Sequence, residues 1–189
     1  MKRGTRVTAL AAATVLGGAG TAAAAAPVHA EYTVTGSTHI AKPDADLELG
    51  PGQFAVDLGP GTYSGTITLP PVEVTRSVPG VGRVGGTVTF GPGHAEGSVS
   101  GGFSGSATWP VRLSDVRVNG VPFDVGPECG TAEPVTTGWT SGEFAAGRGG
   151  RLESTYAIGA FENCGAATPL INGFVPGDGN TLTLDLTPA

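Results

Sequence analysis

GPGQFAVDLGPGTYSGTITLP, from Gly50 to Pro70, and GPGHAEGSVSGGFSGSATWP, from Gly91 to Pro110, are two versions of one phrase, aligned with a single one-residue gap. Their last eight positions both read aromatic, Ser, Gly, Ser or Thr, Ala or Ile, Thr, bulky, Pro. Alternation of this kind has the two-residue period of a β-strand. It puts Tyr63, Gly65, Ile67 and Leu69 on one face and Ser64, Thr66 and Thr68 on the other. In the second copy Phe103, Gly105, Ala107 and Trp109 take the inward face. Ile and Leu in one copy become Ala and Trp in the other, a small-for-large exchange suited to paired core layers. Each copy predicts strand, Gly-Pro-Gly turn, strand, turn, strand. Two copies are too few for a solenoid. They suit two similar meanders inside one sandwich or barrel.

The rest of the chain reads the same way. Thr181–Thr187, TLTLDLT, sets three leucines on one face and polar groups on the other, with Asp178-Gly179 as the turn before it. Asn119-Gly120 stands between apolar alternations, a strong short hairpin signal. Pro122 assigns the second arm of that hairpin to a sheet edge or bulge. Thr168–Gly173, TPLING, is the one candidate for a helical turn. Gly126–Gly130 and Gly138–Gly150 are the loosest stretches, the second predicting a long mobile loop. The fold class is therefore all-β: a single-domain antiparallel β-sandwich or open barrel of roughly 8–12 short strands containing an internal two-copy meander.

Ahead of this domain, Lys2, Arg3 and Arg6 precede an Ala/Val/Leu/Gly run from Val7 to Ala26, and Val28-His29-Ala30 supplies small residues at the positions a peptidase reads. That is the layout of a secretory signal peptide. It predicts a leader over 1–30 with cleavage near Ala30, a cut after Ala25 being second, and a secreted domain over 31–189. The run is Ala-rich and broken by Gly17, Gly18 and Gly20, which sets it apart from a membrane anchor. Sixteen acidic residues oppose ten basic ones, three of which lie in the leader. So acidic a surface repels phosphate backbones and anionic lipid, which sets nucleic acid and membrane aside as partners. Cys129 and Cys164 are the two cysteines. In an oxidising compartment such a pair is most simply a disulfide, closing a loop worth roughly 3–4 kcal/mol. Two cysteines without a neighbouring His make a poor zinc site.

Candidate chemistry is sparse. No Ser stands in a G-x-S-x-G frame, although Ser104 comes close. With His29 lost with the leader, His39 and His94 remain as bases, and His94 falls in a predicted turn. Asp44, Asp46 and Glu48, spaced by two, share one strand face. That trio reads first as a solvated sheet face, with one side of a two-carboxylate glycosidase or a set of calcium ligands as the lesser alternatives. Glu128 lies beside Cys129 and Glu162 near Cys164, so a disulfide would bring their segments together, at a distance the sequence does not fix. Trp139, between Gly138 and Thr140, is the candidate platform for stacking on a sugar, while Trp109, at the position of Leu69 in the repeat, belongs to the core. No catalytic residue, metal site or cofactor is assigned.

ITLPP at Ile67–Pro71, DVRVNGVPFDVGPEC at Asp115–Cys129 and ENCGAATPLINGFVPGDGNTLTLDLTP at Glu162–Pro188 resemble a group of small secreted proteins of actinobacteria such as Streptomyces. The resemblance spans most of the domain. It implies a shared scaffold with paired cysteines and a β-rich fold, and no activity, because the shared positions are Gly, Pro, Cys and Asn at turns. The function expected is that of a non-catalytic secreted protein acting by surface contact at the cell envelope or in the medium. A carbohydrate-binding module, with cell-wall or extracellular polysaccharide as partner, is the alternative. A two-carboxylate glycoside hydrolase is third.

Overall fold

The computed structural model describes residues 26–141 and 143–189. Its strands are β1 (Val28–Ile40), β2 (Ala45–Leu58), β3 (Thr62–Thr68), β4 (Val72–Val78), β5 (Gly82–Phe90), β6 (Gly93–Ser98), β7 (Phe103–Trp109), β8 (Val111–Val118), β9 (Val121–Pro122), β10 (Gly130–Thr131), β11 (Val135–Ser141), β12 (Gly150–Ile158), β13 (Phe161–Glu162) and β14 (Gly177–Pro188). A 3-10 turn at Gly165–Ala167 leads into a single short helix, α1 (Thr168–Phe174). Eight strands close into an antiparallel barrel in the order β1-β14-β12-β11-β7-β6-β3-β2. The others form a second sheet in the order β13-β10-β8-β5-β4, with β9 beside β8. The all-β antiparallel expectation holds, as a closed barrel fused to a second sheet.

The repeated phrase explains how the two are fused. Its copies become the neighbouring hairpins β2–β3 and β6–β7, and β3 pairs with β6, so the copies lie side by side in the barrel wall. Tyr63, Ile67, Phe103 and Ala107 point inward into one core. The repeat glycines allow close approach there. A Cβ at Gly105 would overlap the Tyr63 hydroxyl and the Glu96 carbonyl. The Gly-Pro-Gly segments differ from the expected turns. Gly50–Gly52 lies within β2, opposite a register shift between Val34 and Gly36. Gly91–Gly93 carries the chain out of β5 into β6.

Pro70 and Pro71, Pro92, and Pro110 mark three of the places where the chain passes between barrel and second sheet, from β3 to β4, β5 to β6 and β7 to β8. Proline has no N–H to give a ladder, so pairing with the previous neighbour stops there and a new partner is taken up. The Gly91 N–H donates to the Pro110 carbonyl at 2.8 Å, tying two of these crossings together.

The remaining local expectations are met with adjustments. Asn119 and Gly120 both take positive φ, 52° and 82°, and close the β8–β9 hairpin, leaving Pro122 on a strand with one neighbour. Leu182, Leu184 and Leu186 are buried in β14, while Asp178-Gly179 lies inside that strand instead of before it. The Gly138–Gly150 segment is not a long loop. Gly138–Ser141 completes β11, Ala145 and Gly149 bond to each other across a tight turn, and Gly150 begins β12. Phe144 from that turn stacks on Phe103 at 4.0 Å, and Phe103 on Tyr63 at 4.2 Å, so aromatic rings plug this end of the barrel. Burial there pushes the Tyr63 phenol up to about 12. The opposite end, where β1 and β2 turn at 41–44, opens toward the second sheet.

Candidate functional site: an apolar cleft beneath the second sheet

Alternation in the second sheet creates an apolar face. Val74 and Val78 of β4, Val84 and Val88 of β5, and Leu113, Val116 and Val118 of β8 all face one cavity of about 190 Å³. Ile40, Ala45 and Leu47 from the open end of the barrel supply its floor, and Leu170, Ile171 and Phe174 of α1 its third side. Monomeric proteins seldom leave large apolar side chains clustered in water. Here Phe123, Leu170 and Phe174 are 39%, 39% and 40% exposed, and all three line this cavity. They are three of the five large exposed hydrophobic residues among the described residues. Two guanidiniums stand at the rim. Arg112 Nη1 holds Glu128 Oε2 at 2.9 Å, and Arg76 Nη2 lies 3.9 Å from Asp44 Oδ2.

The helix wall is fixed from behind. Cys129 and Cys164 form a disulfide buried with Val125, Phe161, Ala167 and Ile171. Asn172 of α1 reaches β13 with both amide atoms: its Oδ1 accepts from the Phe161 N–H at 2.7 Å and its Nδ2 donates to the Phe161 carbonyl at 2.9 Å. One side chain thus replaces a strand partner and anchors the helix against the second sheet.

A second cavity of about 110 Å³ continues into the barrel and shares Ile40, Leu47, Val88, Val111, Phe161 and Val175 with the first. Its walls carry hydroxyl groups. Thr38 Oγ1 donates to the Thr181 carbonyl at 2.8 Å and lies 2.6 Å from Tyr156 Oη. The Thr38 proton being spent on that carbonyl, the Tyr156 hydroxyl is the donor to Thr38. Burial raises the Tyr156 phenol, against the opposing pull of Thr38, so it holds that proton. Thr137, 2% exposed and directly opposite Tyr156 in the β11–β12 ladder, also lines this cavity, and its hydroxyl finds no hydrogen-bond partner among the described residues. The Trp109 indole N–H is likewise without a partner. Just above, the fully buried Asn180 is satisfied by Ala41 N–H and by the Tyr156 and Gly177 carbonyls, which pins β14 to its neighbours.

The sequence-predicted residues lie elsewhere. Trp139 is in β11, not a loop, and is 5% exposed within the barrel core, so its ring offers no open face for a sugar. Trp109 is buried, as expected. Asp46 and Glu48 are on the outward face of β2, with Leu47 and Leu49 inward. Asp44, however, sits in the turn before the strand. Asp46 bonds His39 Nδ1 at 2.8 Å, and His39 Nε2 is 4.0 Å from Asp44, so the acids serve a surface cluster. His94 is on β6 rather than in a turn, exposed. Ser104 is half-buried on β7. Glu128 pairs with Arg112, and Glu162 takes a bond from Asn163 Nδ2 at 3.4 Å. Among the described residues, no three or more His, Cys, Asp or Glu side chains are placed to hold a metal ion. No described helix is long and apolar enough to cross a membrane. The leader through residue 25 lies outside the described residues. Comparison with protein-family models, curated proteins and solved structures finds no match.

Proposed function

We propose that this chain is a non-catalytic binding protein of the extracellular space that holds a hydrophobic small molecule in the cleft between the barrel and the second sheet. The observation that carries this is the coincidence of an apolar-walled cavity with three exposed hydrophobic residues on its lip. Small-molecule sites are concave, mostly apolar and furnished with few polar groups. The two adjoining cavities, about 190 and 110 Å³, together reach the lower end of the roughly 300–1,000 Å³ usual for such sites. Export through the N-terminal leader accords with the buried disulfide and with the resemblance to secreted actinobacterial proteins. The surface contact expected from the sequence then becomes contact through this cleft. With Trp139 and Trp109 both in the core, neither tryptophan supports the polysaccharide alternative as a stacking platform.

Titration with Nile red, an uncharged fluorophore that brightens in apolar sites, tests the proposal. The wild-type protein is expected to bind one equivalent saturably. Val84→Trp, which fills the outer cavity from near the start of β5, abolishes that signal while the near-ultraviolet circular dichroism of the barrel aromatics is retained. Absence of saturable binding by the wild type, or equal binding by the Trp variant, overturns it.

A further inference from the structure

The inner cavity says which end of a ligand goes in first. Resting on the hydrophobic-ligand reading above, we propose that the site takes a single-chain amphiphile with an uncharged hydrogen-bonding head, an alcohol or a carbonyl, inserted head-first, with its hydrocarbon chain running out beneath the second sheet. From the rim, where Arg76 and Arg112 stand, the walls are apolar inward to the inner cavity, which the hydroxyl-bearing Thr137, Tyr156 and Thr38 line. Their protons are accounted for. Thr38 donates to Thr181 and Tyr156 to Thr38, which leaves a lone pair on Tyr156 Oη and both the proton and the lone pairs of Thr137 Oγ1 unused.

A buried hydroxyl without a partner is costly, so a threonine kept inward at 2% exposure between Val135 and Trp139 signals a partner from outside the chain. An alcohol or a carbonyl oxygen matches that need by accepting from Thr137. A carboxylate does not suit the inner end, because no cationic side chain lines that cavity and an unpaired charge there would be desolvated. The cations, Arg76 and Arg112, are at the outer rim, where an acid head would have to remain.

Displacement of bound Nile red by 1-decanol, decane and decanoate distinguishes these arrangements. The wild type should bind decanol more tightly than decane or decanoate. Thr137→Val, nearly the same shape without the hydroxyl, should weaken decanol about tenfold, the loss of one to two neutral hydrogen bonds. It should leave decane and Nile red unchanged, and Thr137→Ser should keep decanol binding. Equal decanol affinity in the Val variant overturns the head-first placement while the cleft itself stands. So does tighter binding of decanoate that is lost in Arg76→Gln. Failure of Nile red to bind the wild type overturns the cleft reading, and this one with it.

Discussion

Removing the disulfide by replacing Cys129 and Cys164 with Ala should cost stability and loosen one wall of the cleft. The bond closes a sequence separation of 35 residues. On the chain-entropy model that loop restricts the unfolded chain by about 13 cal/mol/K, or roughly 4 kcal/mol at 25 °C. Both sulfurs are buried, at 1% and 0% exposure, and each lost contact with Phe161, Ala167 and Ile171 adds to that figure. For a domain of this size each kcal/mol lowers Tm by about 2–4 °C, so the double variant should melt roughly 8–16 °C below the wild type. Scanning calorimetry reads this directly. The loss should also be local. Cys164 immediately precedes the 3-10 turn and α1, so amide exchange should quicken at Ile171–Val175 and leave β14 protected until global unfolding. A Tm within about 2 °C of wild type would refute the reasoning, since neither the loop term nor the buried contacts would then matter. Equal acceleration in β14 and α1 would show that the disulfide supports the barrel as a whole, not the helix wall.

Two further outcomes follow from buried and exposed aromatic groups. Trp139→Ala should cost about 3–5 kcal/mol, as truncation of a large core aromatic does, seen as a lowered denaturation midpoint; an unchanged midpoint would return Trp139 to the surface. His29 carries a raised pKa, first through its hydrogen bond to Asp57 at 3.0 Å and then through Glu31. Its contribution to stability is fully present below the ordinary histidine value near 6.5 and fades as pH rises through the raised folded value. Imidazole titration by NMR should therefore show a value that drops toward 6.5 in Asp57→Asn. Cleavage after Ala30 would remove His29 along with Val28 and Ala30, the first three residues of β1, and with them the titration, whereas cleavage after Ala25 preserves it. The same spectrum thus reports the cut site.

Period two, the Asn-Gly turn, the helical turn at TPLING and the cysteine pair were legible because each depends on neighbours in sequence or on a single pairing. Trp139 was not, for a physical reason. Val135, Thr137, Trp139 and Ser141 do alternate inward, but Gly138 and Thr140 between them are small and polar enough to resemble a loop. The prolines at 70, 71, 92 and 110 lie between strands. That the chain continues in line into a different sheet depends on partners far away in sequence, which alternation does not encode. The cleft combines both cases. The valines of β4 and β5 announce an apolar face, but whether another layer covers that face is decided by how barrel, sheet and α1 are disposed in space.

The barrel seam has a consequence for the order in which this molecule can be made. β1 bonds on one side to β2, its neighbour in sequence, and on the other to β14, the last strand, with Tyr32 opposite Pro188 and His39 opposite Thr181. During synthesis β1 emerges well before β14, and it waits with one edge unpaired until β14 has appeared. Pairings of such sequence separation form slowly, on the order of milliseconds to seconds. In that interval β1 and β12 are open templates for strands of other copies. The polar outward residues of β1, Glu31, Thr33, Thr35 and Ser37 among them, then act as guards of an unfinished edge as well as the surface of a finished barrel.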